Sequence, residues 1–157
     1  MEVDVVVEDA RWTGVEALAA GAVEAVGERL GVAGEVVLLA CDAARSAALN
    51  GAFRGKAQPT NVLSWPSEER AAAQEGRPPT APSGQDLGDI ALSYETCLRE
   101  AAAQGKRFDD HVTHLIVHGV LHLLGYDHER SGDAALMERL EIEILGKMGI
   151  SDPYSAD

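Results

Sequence analysis

The sequence predicts one domain of mixed helices and strands, and three observations carry that reading. Four short segments have the apolar pattern of strands, five show helical spacing between glycine or aspartate boundaries, and one helix is lined with histidines. At 157 residues the chain can bury roughly two-thirds of the surface that its unfolded form exposes, so the core needs no disulfide or metal to hold it.

Val3, Val5 and Val7 alternate with Asp4 and merge into an apolar run, the pattern of a first strand. Thr13 followed by Glu16 reads as a capping box, and Val15, Leu18, Ala22, Val26 and Leu30 recur at helical spacing up to Gly31. Glu35 to Ala40 is a short apolar run between glycine and aspartate, as a buried strand would be. Asp42 can cap a short helix that stops at Asn50-Gly51. Phe53-Arg54-Gly55-Lys56 then reads as a basic loop, and Val62 to Trp65 as a third strand ended by Pro66.

From Ser67 to Asp86 the composition shifts to Glu, Ala, Arg, Gly and Pro, including Pro78, Pro79 and Pro82. A flexible surface insertion at residues 67–86 is expected there, within a single domain over 1–157, because the periodic segments before it are too few to close a core. Leu87 to Leu92 resumes as a fourth strand, and Ser93 caps a helix that stops at Gly105. Asp133 to Leu145, with Leu136, Leu140 and Ile144 at helical spacing, makes a covering helix, and the tail Asp152-Pro153-Tyr154 is expected to be exposed.

Between them lies the helix that organises the chain. Asp109 and Asp110 suit its positive N-terminal end, and it runs to Leu124. At about 100° per residue, His111, His114, His118 and His122 share roughly one quadrant, while Val112, Ile116, Val117, Val120, Leu123 and Leu124 occupy the opposite side. Such a helix should be central and buried, its histidine face lining a cleft.

His118 and His122 stand one turn apart on one face and can present two nitrogens to one ion. Gly125 lets the chain leave the helix, and the turn through Tyr126 and Asp127 brings His128 back as a third ligand. Any one of these histidines alone would read as a packed core residue. Three neutral imidazoles with no protein group in the fourth position describe a catalytic zinc site, since structural sites are usually closed by cysteines. The long metalloprotease motif shares this spacing, but it places a glutamate directly after the first histidine as general base. Here Gly119 takes that place, so a zinc peptidase fits in geometry and lacks the chemistry.

Around the triad, His114 is a packing residue or a candidate for proton transfer, and His111 reads as structural. Asp127 could hold the second ring nitrogen of His128, and backbone hydrogen bonding at a strand end would explain Asp89.

Composition narrows the partners. Thirteen basic against twenty-six acidic residues give a net charge of −13, which argues against general affinity for polyanions. Residues 43–66 are the local exception, with Arg45, Arg54 and Lys56 and no acid. By count alone those cations read as a solvated loop. No apolar run has membrane-spanning length and the N-terminus lacks a signal-peptide pattern, so a cytoplasmic protein is expected, with Cys41 and Cys97 as small buried hydrophobes.

Four stretches resemble the YbeY family of bacterial single-strand endoribonucleases and ribosomal-RNA maturation factors. They are Phe53-Arg-Gly-Lys-Ala-Gln-Pro-Thr-Asn-Val-Leu-Ser64, Leu87-Gly-Asp-Ile90, the His118 to His128 stretch, and Asp152-Pro-Tyr154. The first fifty residues match only in their order of elements. The resemblance implies an α+β fold, a small mixed four-stranded sheet packed against about five helices. It also implies one zinc ion on His118, His122 and His128, and Arg54 as the cleft arginine. Arg54 would then grip a phosphodiester bidentately and stabilise its developing charge. Arg45 and Lys56 are candidate substrate contacts beside it, and His114 a candidate proton carrier.

The activity implied is zinc-dependent cleavage of single-stranded RNA in ribosomal-RNA maturation, late small-subunit 3′-end processing and ribosome quality control. The partners implied are ribosomal RNA and ribosome or small-subunit proteins, with the chain a monomer and no membrane contact. The attacking group, water or the neighbouring ribose 2′-hydroxyl, is not decided by sequence. Two other classes stand beside this one: a zinc metallopeptidase, and a ribosome assembly factor whose metal is mainly structural.

Overall fold

The computed structural model describes residues 1–82 and 84–155. Its strands are β1 (Glu2–Val7), β2 (Glu35–Cys41), β3 (Val62–Pro66) and β4 (Asp86–Ser93), in the spatial order β1-β2-β4-β3. β1, β2 and β4 run parallel and β3 lies antiparallel on β4. The helices are α1 (Val15–Leu30), α2 (Ala43–Arg54), α3 (Tyr94–Gln104), α4 (Phe108–Leu123) and α5 (Ser131–Lys147). This is the mixed α+β arrangement that the resemblance implied.

Alternation along the strands divides the core in two. Leu38, Ala40, Ile90 and Leu92 face one side, packed with Val23 and Val26 of α1 and with Ile116, Val117 and Val120 of α4. Cys41, Leu63 and Ala91 face the other side, where Leu39, Leu49 of α2 and Trp65 cover them. Asp89 belongs to this second face and is exposed there, in mid-strand between Val37 and Trp65 rather than at a strand end. Its carboxyl is pushed up by desolvation and then by Asp86.

α4 is the central helix. It packs on β3 and β4 and is surrounded by α1, α3 and α5. Its apolar side chains Val112, Ile116, Val117 and Val120 have no exposed surface, and each contributes on the order of 1.5–3 kcal/mol by burial. Gly119 lets the helix come this close to the sheet. A Cβ there would lie 3.1 Å from Ile90 Cδ1, so position 119 faces the sheet, and a glutamate side chain at that place would meet Ile90 rather than the histidine cleft.

Three local expectations are corrected. The Thr13–Glu16 capping box does not form: the N-cap of α1 is Gly14, with φ 76° and no side-chain cap. α2 does not stop at Asn50-Gly51 but continues to Arg54 and ends at Gly55 with φ 71°. Asn50 instead turns its side-chain amide to the Gln58 carbonyl at 2.9 Å and pins the following loop. Phe53 and Arg54 therefore occupy the last helical turn.

Between β3 and β4 the described residues form no helix or strand; the expected insertion includes Ser83, which lies outside the described residues. Two anchors hold this segment. Arg70, only 5% exposed, donates to the carbonyls of Leu123 at 2.7 Å and Leu87 at 3.3 Å. Further along, Glu75 accepts the Gly132 N–H at 2.6 Å, and Arg130 donates to the Ala72 carbonyl at 2.9 Å.

Candidate metal centre

The end of α4 builds the site. The Tyr126 N–H bonds the Leu121 carbonyl at 3.1 Å and the Gly125 N–H bonds the His122 carbonyl at 3.0 Å, the paired closure that terminates a helix on a left-handed residue. Gly125 supplies that conformation with φ 102°, and Arg70 packs so closely that a Cβ would lie 2.5 Å from its carbonyl oxygen. The same turn aims the Tyr126 carbonyl back at the helix, where it accepts from His122 Nδ1 at 2.8 Å.

His118, His122 and His128 are gathered at this end, with ring centroids 6.2 Å (118 to 122), 5.6 Å (118 to 128) and 5.9 Å (122 to 128) apart. The tightest group is His122, Asp127 and His128, whose ligand atoms all lie within 4.8 Å of one another and can hold a metal ion. Asp127 accepts the backbone N–H of His128 at 2.7 Å. That contact, and not one with the second ring nitrogen of His128, is what the structure gives this carboxylate.

Behind His118 stands a residue that the sequence reading missed. Glu141 of α5 has no exposed surface and accepts from His118 Nδ1 at 2.6 Å. Its second oxygen accepts from the hydroxyl of Tyr154, and His114 Nε2 lies 3.5 Å from the first. Burial alone would raise this carboxyl, yet the nearby His114 and the hydrogen bonds from His118 and Tyr154 bring it down to about 2. A signal was present: Glu141 follows Leu140 and precedes Ile144 by three, which places an acid on the apolar stripe of the covering helix. Tyr154 of the tail is 47% exposed, as expected of the tail, but its hydroxyl is committed inward.

The remaining predicted site residues lie in different places. His114 turns Nε2 toward Glu141 and Tyr154, and its Nδ1 is buried without a partner among the described residues. His111 is bound through Nε2 to Glu100 at 3.0 Å. Arg54 and Lys56 are exposed, and among the described residues neither side chain has an ion pair or hydrogen bond. Next to Arg54, the Phe53 ring packs edge-on against Trp65 at 5.5 Å. Trp65 adjoins Pro66, which lines a cleft of about 260 Å³ with His122 and Asp127; Arg54 itself does not line that cleft. Arg45 does not join Arg54. It sits in the first turn of α2 and pairs with Glu8 at 3.4 Å, roughly 13 Å along the helix from Arg54 at 1.5 Å per residue.

Both thiols are free and buried, and among the described residues no helix is long and apolar enough to cross a membrane.

Comparison with known proteins agrees with this architecture. A solution structure, TM1509 from Thermotoga maritima, superposes with a TM-score of 0.58 at 22% identity over 98% of this chain and 99% of its own. That likeness concerns the fold. In sequence, the chain is 58% identical to an endoribonuclease YbeY of Paracoccus denitrificans over 97% of its length and 89% of the relative's. It is 53% identical to the endoribonuclease YbeY of Ruegeria pomeroyi over the whole of both chains. The profile of the family described as endoribonuclease YbeY matches residues 6–149, and with relatives this similar over nearly its full length, the chain belongs to that family.

Proposed function

We propose that this endoribonuclease holds one zinc ion on His118, His122 and His128 and cuts single-stranded RNA, acting in ribosomal-RNA maturation. The observation that carries the reading is the state of the imidazoles. His118 donates a hydrogen bond from Nδ1–H to the Glu141 carboxylate and His122 donates one from Nδ1–H to the Tyr126 carbonyl, and in that tautomer Nε2 of each ring keeps its lone pair for a metal. His122, Asp127 and the exposed His128 have ligand atoms within 4.8 Å of one another, His118 stands one turn before His122 on α4, and imidazoles with a carboxylate beside them suit zinc.

The chemistry a bound zinc supplies is positive charge for a phosphoryl oxygen and activation of the attacking group. The chain does the rest. Arg54, with no carboxylate partner among the described residues, is available to clamp the phosphate bidentately and offset charge as it develops. Lys56 adds a point charge beside it. Arg45 is held by Glu8 at the far end of α2 and can contribute only weakly to the same phosphate. His114 faces Glu141 and Tyr154 and serves the reaction through those groups.

The reading takes residues 1–157 as a single domain with its insertion beside the cleft. It places the chain in the cytoplasm as a monomer, with ribosomal RNA and small-subunit proteins as partners. A peptidase role gains no support, because position 119 faces Ile90 and offers no general base.

Arg54→Ala tests the clamp. The variant should keep its fold and zinc and lose single-stranded RNA cleavage by about 10²–10³, and Arg54→Lys should recover little of it. Cleavage at the parent rate by the alanine variant would return Arg54 to a solvated loop cation.

A further inference from the structure

We propose that Tyr154, carried on the C-terminal segment, is a positioning residue for His118 and acts through Glu141. The inference rests on the reading of His118 as a metal ligand and goes beyond it, because it makes the tail part of the metal centre.

The geometry is a chain of donors ending on one carboxylate. Glu141 is enclosed between α4 and α5, and a carboxylate there must have its lone pairs occupied. Oε1 takes the Nδ1 proton of His118 at 2.6 Å, and Oε2 takes the Tyr154 hydroxyl. With donors on both oxygens, the carboxyl plane cannot rotate about its terminal bond. Oε1 therefore stays on His118 and fixes both the ring's orientation and its tautomer. Without the hydroxyl, Oε2 would lose its donor and the carboxylate could turn toward His114 Nε2, now 3.5 Å from Oε1.

The tail is held for this task at points that do not involve the core. Lys106 donates from Nζ to the Pro153 carbonyl at 2.9 Å, tying the tail to the turn between α3 and α4. The Tyr154 N–H closes on Asp152 Oδ1 at 2.8 Å. The phenol ring stands edge-on to His114 with centroids 5.5 Å apart. Because Tyr154 is 47% exposed, removing its oxygen leaves the ring contact and the fold in place.

The test measures zinc affinity by competition with a chromophoric chelator in the full chain, beside the melting temperature of the metal-free protein. Tyr154→Phe should stay folded when metal-free but melt a few degrees below the parent, because Oε2 of the buried carboxylate loses a donor, and, measured well below that melting temperature, should bind zinc about ten-fold more weakly. Nitrogen-15 shifts of His118 should show its Nδ1–H tautomer giving way to a mixture. Adding Tyr154→Phe to Glu141→Gln should weaken binding no further than Glu141→Gln alone, since the hydroxyl acts only through the carboxylate. Tyr154→Phe with parental zinc affinity, measured where His118→Ala has lost it, overturns the inference and leaves the ligand assignment standing. Parental affinity in His118→Ala overturns the ligand assignment, and the inference with it. If Glu141→Gln fails to fold, the comparison of Tyr154→Phe with the parent still decides.

Discussion

Glu141 and the two cysteines show how burial sets the chemistry of single residues in opposite directions. Glu141 is held well below the usual carboxylate range at full burial because His118 and Tyr154 donate to it, with His114 3.5 Å away. Cys41 and Cys97 have no such help. Desolvation, and after it Glu8 for Cys41 and Glu100 for Cys97, pushes both thiols up to about 12. The thiolate is the reactive form, so iodoacetamide at pH 8 should leave both cysteines untouched in the native protein and label both once it is unfolded. Native labelling of either thiol would show an opening that this packing does not allow. The grouping of His118, His122 and His128 at the end of α4 was legible in sequence because spacing, helix exit and side-chain chemistry all lie within eleven residues. Glu141 and Tyr154 were not, because their partners are distant in sequence and only the packing of α5 and the tail on α4 brings them together.

At the scale of elements, the contact between α4 and β4 decides where the histidines stand. Gly119→Ala tests that contact. Alanine favours the helix by roughly 0.8–1 kcal/mol, while forcing a methyl into a packed core costs roughly 1–3 kcal/mol. Ile90 is fully buried, and three of its side-chain atoms lie within 3.4 Å of the added methyl, so the loss should win and the melting temperature should fall. Ile90→Val in the same chain removes the nearest methyl and should restore part of the loss. An alanine variant as stable as the parent would mean that the helix and sheet are not in close contact at that point. Strand and helix positions followed from periodicity, but their ends did not. α2 passed through Gly51 because Asn50 found a loop carbonyl, and α1 began at Gly14 without the Thr13 cap. The role of Arg70 was also invisible, since a lone arginine in a Pro-rich segment gives no hint that its guanidinium closes on the end of α4.

Across the whole molecule, a chain of net charge −13 acts on a polyanion, which requires positive charge to be concentrated where the chemistry is. The cleft beside His122 is itself acidic, lined by Glu68, Glu69 and Asp127, and the buried guanidinium of Arg70 is occupied by carbonyls. If zinc and Arg54 act as proposed, attraction for RNA comes from the metal together with the α2–β3 connection carrying Arg54 and Lys56, and neither should suffice alone. That division was only partly legible in sequence: the basic stretch could be read from composition, whereas the separation of Arg45 from Arg54 needed the full length of α2. The most direct test of the central claim is one paired assay, in which metal-stripped and zinc-restored protein are each incubated with single-stranded RNA and, in parallel, with an unfolded protein. RNA cleavage is expected only after zinc is restored, with no proteolysis in either state; zinc-dependent proteolysis with intact RNA, or RNA cleavage undiminished by metal removal, would contradict a zinc-dependent endoribonuclease.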